Sequence, residues 1–156
     1  MKKIVYIDLD GVVADFDLEL KKYHPDINTI TNHEERSSKV DKLVLSISTF
    51  FEDLEPMKDS IESIHELSKN YEIYFLSTAM WDVPHSFTGK RLWIEKHFGE
   101  FGKKRLILSH RKDLNIGDYL IDDRLKNGAA EFKGEHIHFG TDKFPNWKSV
   151  TNYLVD

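Results

Sequence analysis

Short apolar runs rich in β-branched and aromatic residues recur along the chain, at residues 4–7, 73–76, 106–108, 119–121 and 137–139. A run that is apolar at every position, instead of alternating, is the pattern of a strand covered on both faces. Helical patterns lie between the runs. Met57, Ile61, Ile64 and Leu67 form one stripe, Trp93, Ile94, His97 and Phe98 form another closed by Gly99, and residues 146–154 end the chain as a short helix. Strand and helix in alternation predict an α/β fold with a largely parallel sheet flanked by helices.

Residues 15–55 interrupt that alternation. Phe16, Leu20 and Tyr23 share one helical face, Val40, Leu43, Val44 and Ile47 share another, and Phe50 and Phe51 follow one turn on. Residues 25–33 between them are polar and turn-rich. Two helices directly after the first strand predict a small helical cap (15–55) inserted into a core made of 1–14 and 56–156. It would sit over the strand's C-terminal end, where open α/β sheets bind ligands.

A net charge of 22 − 27 = −5 argues against a duplex nucleic-acid binder, which needs excess Lys and Arg. With no cysteine, disulfides and thiolate-bound zinc are excluded. No apolar run approaches the ~18 residues needed to span a bilayer, and Met1-Lys2-Lys3 is followed by too short an apolar stretch for an export signal. The expected location is the cytoplasm, with no membrane partner.

The densest chemical signal is DLDGVVAD, Asp8 to Asp15. Side chains two apart on a strand point the same way, so Asp8 and Asp10 present two carboxylates from one strand end. Close carboxylates repel unless a cation or shared proton relieves them, and a hard divalent cation such as Mg²⁺ does so through oxygen ligands. Asp122 and Asp123 end a second apolar run and could complete a metal site begun by the first; alone, Asp123 could equally cap a helix. A third run ends in Ser77-Thr78, which places donors at a strand end or simply terminates it. Lys112 and Arg111 in SHRKD are equal electrostatic candidates for gripping an anion. His136 and His138, two apart on a strand, have no evident third metal ligand. Trp93 and Trp147 read as core, whereas Trp81 follows the Ser77-Thr78 strand end and is a candidate pocket residue.

DLDGVVAD, Ser77-Thr78, Lys112 and Ile121-Asp122-Asp123 resemble, in order, the four signature segments of the haloacid dehalogenase superfamily. The stretches DLDGVVADF, FFEDLEP, LST to WIEKHFG, and DYLIDDR are similar to those of 5′(3′)-deoxyribonucleotidases. The resemblance implies a Rossmann-like, haloacid dehalogenase-like core and a Mg²⁺-dependent phosphomonoesterase that dephosphorylates small molecules, (deoxy)nucleoside 5′- or 3′-monophosphates, through an aspartyl-phosphate. Asp8 would be the nucleophile and Asp10 the general acid–base. Mg²⁺ would be held by Asp8, the carbonyl of Asp10 and Asp122, with Asp123 in support. Ser77, Thr78 and Lys112 would hold phosphate oxygens, and Phe16 would face a nucleobase, joined by either Phe50 or Phe51. Relatives with this pattern are often homodimers. The segment 15–55 lacks the tryptophan that vertebrate members use against the base, and Ala79-Met80-Trp81 stands where a proline is usual. A phosphatase of another metabolite, or a non-catalytic phosphate-binding module, are the alternatives.

Overall fold

The computed structural model describes residues 1–155. Strands β1 (Lys3–Ile7), β2 (Tyr71–Ser77), β3 (Leu106–Leu108), β4 (Tyr119–Asp122) and β5 (Glu135–His138) form one sheet in the order β3-β2-β1-β4-β5. Every neighbouring pair is parallel, as the continuous apolar runs predict. The centre of the sheet is its most apolar part. Val5, Ile7, Phe75, Leu120 and Ile121 are fully buried, which requires helices on both faces. From β1 the chain passes to β2 on one side, and from β4 it passes to β5 on the other. This reversal makes the crevice between the C-terminal ends of β1 and β4 the natural binding point of such a sheet.

Helices α1 (Phe16–Tyr23), α2 (His33–Ser46), α3 (Ser60–Leu67), α4 (Pro84–Phe98) and α5 (Trp147–Val155) complete the fold. Asp15 caps α1 by accepting from the Leu18 amide, and Asn32 caps α2 by accepting from Glu35. Two helices begin well before their apolar stripes. The first half of α2 is exposed and polar around its circumference, so it carries no period to read. The first half of α4 faces the protein with Ser86, Gly89 and Lys90, all buried, so its inner face is not apolar. On the edge strand β5, pairing runs Glu135 to His138, and Phe139 leaves the strand as its amide donates to the Asp122 carbonyl at 3.0 Å.

Between α1 and α2 lies a short 3₁₀ turn, Ile27–Thr29, within the polar stretch. Most of the apolar residues between β1 and α3 share the main hydrophobic cluster. Leu20, Ile27, Val44, Phe50, Phe51 and Leu54 pack in it together with residues of β1 and β2. The two ends of segment 15–55 leave side by side. Asp15 donates its amide to Glu55 at 2.8 Å, and Met57 donates to Val13 at 2.7 Å. Helix α4 ties the segment down further. Trp93 Nε1 donates to the Leu54 carbonyl at 2.7 Å, and His85 Nε2 meets the Val44 carbonyl at 2.9 Å. Among the described residues no helix is long and apolar enough to cross a membrane.

Candidate active site

The end of β1 turns back within one step. The Leu9 carbonyl accepts from the amides of Val12, Val13 and Ala14, and Trp147 Nε1 pins the turn by donating to Val12 at 2.7 Å. Gly11 sits in this turn at φ +82°, where a side chain is strained, and a Cβ there would stand 2.2 Å from Asp123 Oδ2. Glycine therefore lets the loop after β1 close onto the loop after β4. Asp8, one residue beyond β1, stays in register by donating its amide to Ile121 at 2.9 Å.

Asp8, Asp122 and Asp123 each offer a carboxylate oxygen, and the three lie within 4.8 Å of one another. The Lys112 ammonium bridges two of them, 3.2 Å from Asp8 Oδ1 and 2.5 Å from Asp122 Oδ2. Asp122 Oδ1 accepts from the Arg124 amide at 3.0 Å, whereas Asp123 Oδ1 is buried without a hydrogen-bond partner. One lysine thus pairs with two of three crowded carboxylates, and the electrostatics record the shortfall. Burial, then the charge of Asp8, raises Asp122 to about 6 despite its bond to Lys112. Burial, Asp8 and Asp122 together raise Asp123 to about 7. Burial works to lower Lys112, but Asp8 and Asp122 outweigh it and its pKa rises. Three hard oxygen donors, one of them orphaned, and an excess of negative charge are what a hard divalent cation fits.

Asp10 takes a different partner. Its Oδ2 lies 2.6 Å from Nζ of Lys90, reaching in from α4. Sequence reading passes over Lys90 because GKRLW looks like a solvated helix face. The signal is its position three and four residues before Trp93 and Ile94, which places it on the buried stripe.

Ser77 and Thr78 lie at the C-terminal end of β2, beside β1, so the sheet brings them to the same edge as Asp8. Ser77 is buried, and its carbonyl accepts from Ser109. The Thr78 hydroxyl donates to the Ser109 carbonyl at 2.7 Å, so its proton is already engaged. Arg111 points elsewhere, forming a two-bond pair with Asp113, and this separates it from Lys112.

The aromatic candidates divide. Phe16 is half-buried, edge-on to Phe50 at 5.3 Å and tilted against Phe51 at 6.0 Å. Phe50 and Phe51 are both enclosed, at 0% and 1% exposure. They sit in an irregular turn after α2, not on a strand, so consecutive side chains need not point to opposite sides. Trp81 is 76% exposed, its ring edge-on to Phe87 and His110. His136 and His138 stack on each other, and their Nε2 atoms meet the carbonyls of Asp122 and Asp123, each at 3.1 Å. They brace the β4 end through its backbone. The one metal-competent cluster among the described residues is Asp8, Asp122 and Asp123.

Similarity to known proteins gives the chain's lineage. Residues 2–149 match the family model described as "5′ nucleotidase, deoxy (Pyrimidine), cytosolic type C protein". A protein of Vibrio phage KVP40 named "Putative 5′(3′)-deoxyribonucleotidase" is 48% identical over 154 residues, covering 99% of this chain and 85% of its own. A protein of Bordetella pertussis with the same name is 31% identical over 175 residues, covering 94% of each chain. Among solved structures, the "putative HAD-hydrolase YfnB" of Bacillus subtilis superposes with a TM-score of 0.61 at 14% identity, covering 99% of both chains. A hydrolase of Streptococcus pneumoniae TIGR4 gives 0.53 at 12% identity over 100% of both. The solved structures establish the fold, and the sequence matches establish the lineage. The chain belongs to the cytosolic type C deoxy 5′-nucleotidase family, a family of haloacid dehalogenase-type phosphomonoester hydrolases.

Proposed function

We propose that this chain hydrolyses deoxynucleoside 5′- or 3′-monophosphates through an aspartyl-phosphate on Asp8, with Mg²⁺ as cofactor. One observation carries the reading. The Asp8 carboxylate stands in a cluster of three aspartates within 4.8 Å, with a buried lysine bridging it to Asp122. When bound, Mg²⁺ would be held by Asp8, Asp122, Asp123 and the Asp10 carbonyl, and would neutralise the charge that keeps a phosphate dianion from an anionic nucleophile.

The chain's own residues supply the rest. An Asp8 oxygen attacks phosphorus as the bond to the sugar oxygen breaks, and Asp10 gives that oxygen its proton. Lys112, the Ser77 hydroxyl and the Thr78 backbone take up charge on the equatorial oxygens. In the second half, Asp10 takes a proton from the attacking water, and the acyl-phosphate bond breaks to release phosphate and the Asp8 carboxylate. Segment 15–55 acts as the cap that closes over the substrate, with Phe16 as its base-facing aromatic. A small-molecule substrate suits a net-negative chain whose buried lysines, Lys90 and Lys112, both pair with aspartates of this crevice.

The deciding experiment is hydrolysis of a panel of deoxynucleoside, ribonucleoside and sugar monophosphates by the purified protein. A clear preference for deoxynucleotides supports the reading; a sugar phosphate turned over better than every nucleotide sinks the nucleotide part and leaves the phosphatase.

Two variants probe the parts. Asp10→Asn should cost roughly 10²–10⁴-fold on a deoxynucleotide, the usual scale of acid–base catalysis. It should cost far less on p-nitrophenyl phosphate, whose leaving group barely needs a proton. Equal losses on the two substrates would contradict the acid role. Phe16→Ala should raise KM for a deoxynucleotide about 5- to 150-fold, the equivalent of ~1–3 kcal/mol of base stacking. Hydrolysis of p-nitrophenyl phosphate should stay within about twofold. Parallel loss on both substrates with a lowered Tm would instead make Phe16 a packing residue of the phenylalanine cluster.

A further inference from the structure

Lys90 is a buried cation that the mechanism so far leaves without a role. Its side chain is 2% exposed, and Asp10 is its one carboxylate partner among the described residues. The ammonium also lies over the Phe51 ring, 4.9 Å from its centroid. The neighbouring Gly89 explains the fit, since a Cβ there would stand 2.7 Å from Phe51 Cβ. Helix α4 can therefore press against the turn that carries Phe51, and Lys90 is clamped between an acid of the β1 loop and an aromatic ring of the inserted segment.

Stability is a poor reason for such an arrangement. Taking an ammonium out of water costs several kcal/mol, and a buried ion pair is often no better than an apolar residue of the same volume. The partner, moreover, is not a structural carboxylate. It is 27% exposed on its side chain, so water could have solvated it without Lys90.

Resting on the reading of Asp10 as acid–base, we infer that Lys90 is a positioning residue for the leaving-group step: it engages Asp10 Oδ2, leaves Oδ1 as the proton-transferring oxygen, and is itself held by Phe51. Before transfer, the protonated Asp10 accepts a hydrogen bond from Lys90 at Oδ2. As the P–O bond breaks, the proton on Oδ1 passes to the departing oxygen and the electron pair stays on the Asp10 carboxylate. The negative charge that appears there meets an ammonium already in place, which needs no reorganisation. The same contact makes the acid's alignment depend on the docking of the inserted segment, because Phe51 belongs to it.

The test is Lys90→Met, alone and combined with Asp10→Asn, assayed on the alkyl phosphate that the wild type hydrolyses best and on p-nitrophenyl phosphate. The expected result has three parts. Lys90→Met lowers kcat on the alkyl phosphate about 30- to 100-fold with KM within about threefold, and costs less than about fivefold on p-nitrophenyl phosphate. The double variant is no slower than Asp10→Asn alone, since a residue acting only through Asp10 has nothing left to act on. Lys90→Gln, which keeps a donor, recovers part of the loss.

A raised KM with kcat preserved, or full losses that add in the double variant, would mean that Lys90 works on the substrate directly and would overturn the inference. So would equal losses on both substrates, the mark of a residue that only fills the core. If Lys90→Met does not fold, Lys90→Gln replaces it in the comparison with Asp10→Asn, and the same patterns of loss support or overturn the inference. Failure of the nucleotidase reading shows separately, as absence of a nucleotide preference in the wild type, and leaves the leaving-group contrast measurable.

Discussion

Replacing Asp8 by Asn should abolish turnover on every substrate, p-nitrophenyl phosphate included. The change removes one formal charge and no volume, so the fold should persist. Asp8 keeps its backbone bond to Ile121, which belongs to the sheet and not to the side chain. The expected loss is roughly four to six orders of magnitude, the scale seen when the nucleophile of a covalent mechanism is removed. Selectivity among variants is the informative part. Asp10→Asn should spare a good leaving group, and Asp8→Asn should spare none, because no leaving group compensates for a missing nucleophile. Beryllofluoride should bind the wild type as a mimic of the phosphorylated aspartate and fail to bind Asp8→Asn. An Asp8→Asn protein that retains a tenth of wild-type activity would exclude the covalent mechanism, whatever the family.

The second large effect concerns the acidic cluster and can be read without any assay of activity. In the metal-free protein Asp122 titrates at about 6 and Asp123 at about 7, against 3.8 for an ordinary aspartate. The folded state therefore holds these two protons more tightly than the unfolded chain does. Their contribution to stability is complete below about pH 4 and is lost as pH rises through 6 and 7. His136 and His97, which burial pushes below the ordinary 6.5, contribute the opposite slope in the acidic range. The clean window is therefore above pH 6.5. Between pH 6.5 and 8.5, Tm in EDTA should fall by about 2–4 °C, because roughly 1 kcal/mol of the linked stability is lost over this window. Saturating Mg²⁺ should restore it, because the cation binds the ionised carboxylates that otherwise repel. The gain in Tm should be larger at pH 8.5 than at pH 6. Turnover should vanish in EDTA and return with Mg²⁺. A Tm that is flat with pH and indifferent to Mg²⁺ would show that Lys112 alone balances the cluster, and activity that survives exhaustive chelation would remove the metal from the mechanism.

Lys112 and Lys90 divide the site's positive charge between two acids with different roles. Lys112 touches Asp8 and Asp122, so it sits where phosphate oxygens would gather. Lys90 touches Asp10 and lies against the Phe51 ring. The two lysines come from different elements, a 3₁₀ turn before β4 and the middle of α4, so each can be altered without dragging the other.

The sequence by itself determined the parallel α/β class and the identity of the acidic centre. Both follow from local rules: strands buried on two faces must be apolar at every position, and carboxylates that end two such strands are carried to one edge of the sheet. Asp8 and Asp122 needed only that. Three-dimensional packing decided the rest. It chose Lys112 over Arg111 as the bridging cation, because the neighbouring Asp113 holds the Arg111 guanidinium while Lys112 turns inward. It enclosed both Phe50 and Phe51, which lie in a turn whose side-chain directions no period fixes. It also recruited Lys90, a lysine among polar helix residues, to a carboxylate eighty positions away. Nothing local to either residue specifies that pair. It exists because α4 packs closely against the turn that carries Phe51, an approach Gly89 permits, and Lys90 reaches Asp10 from there.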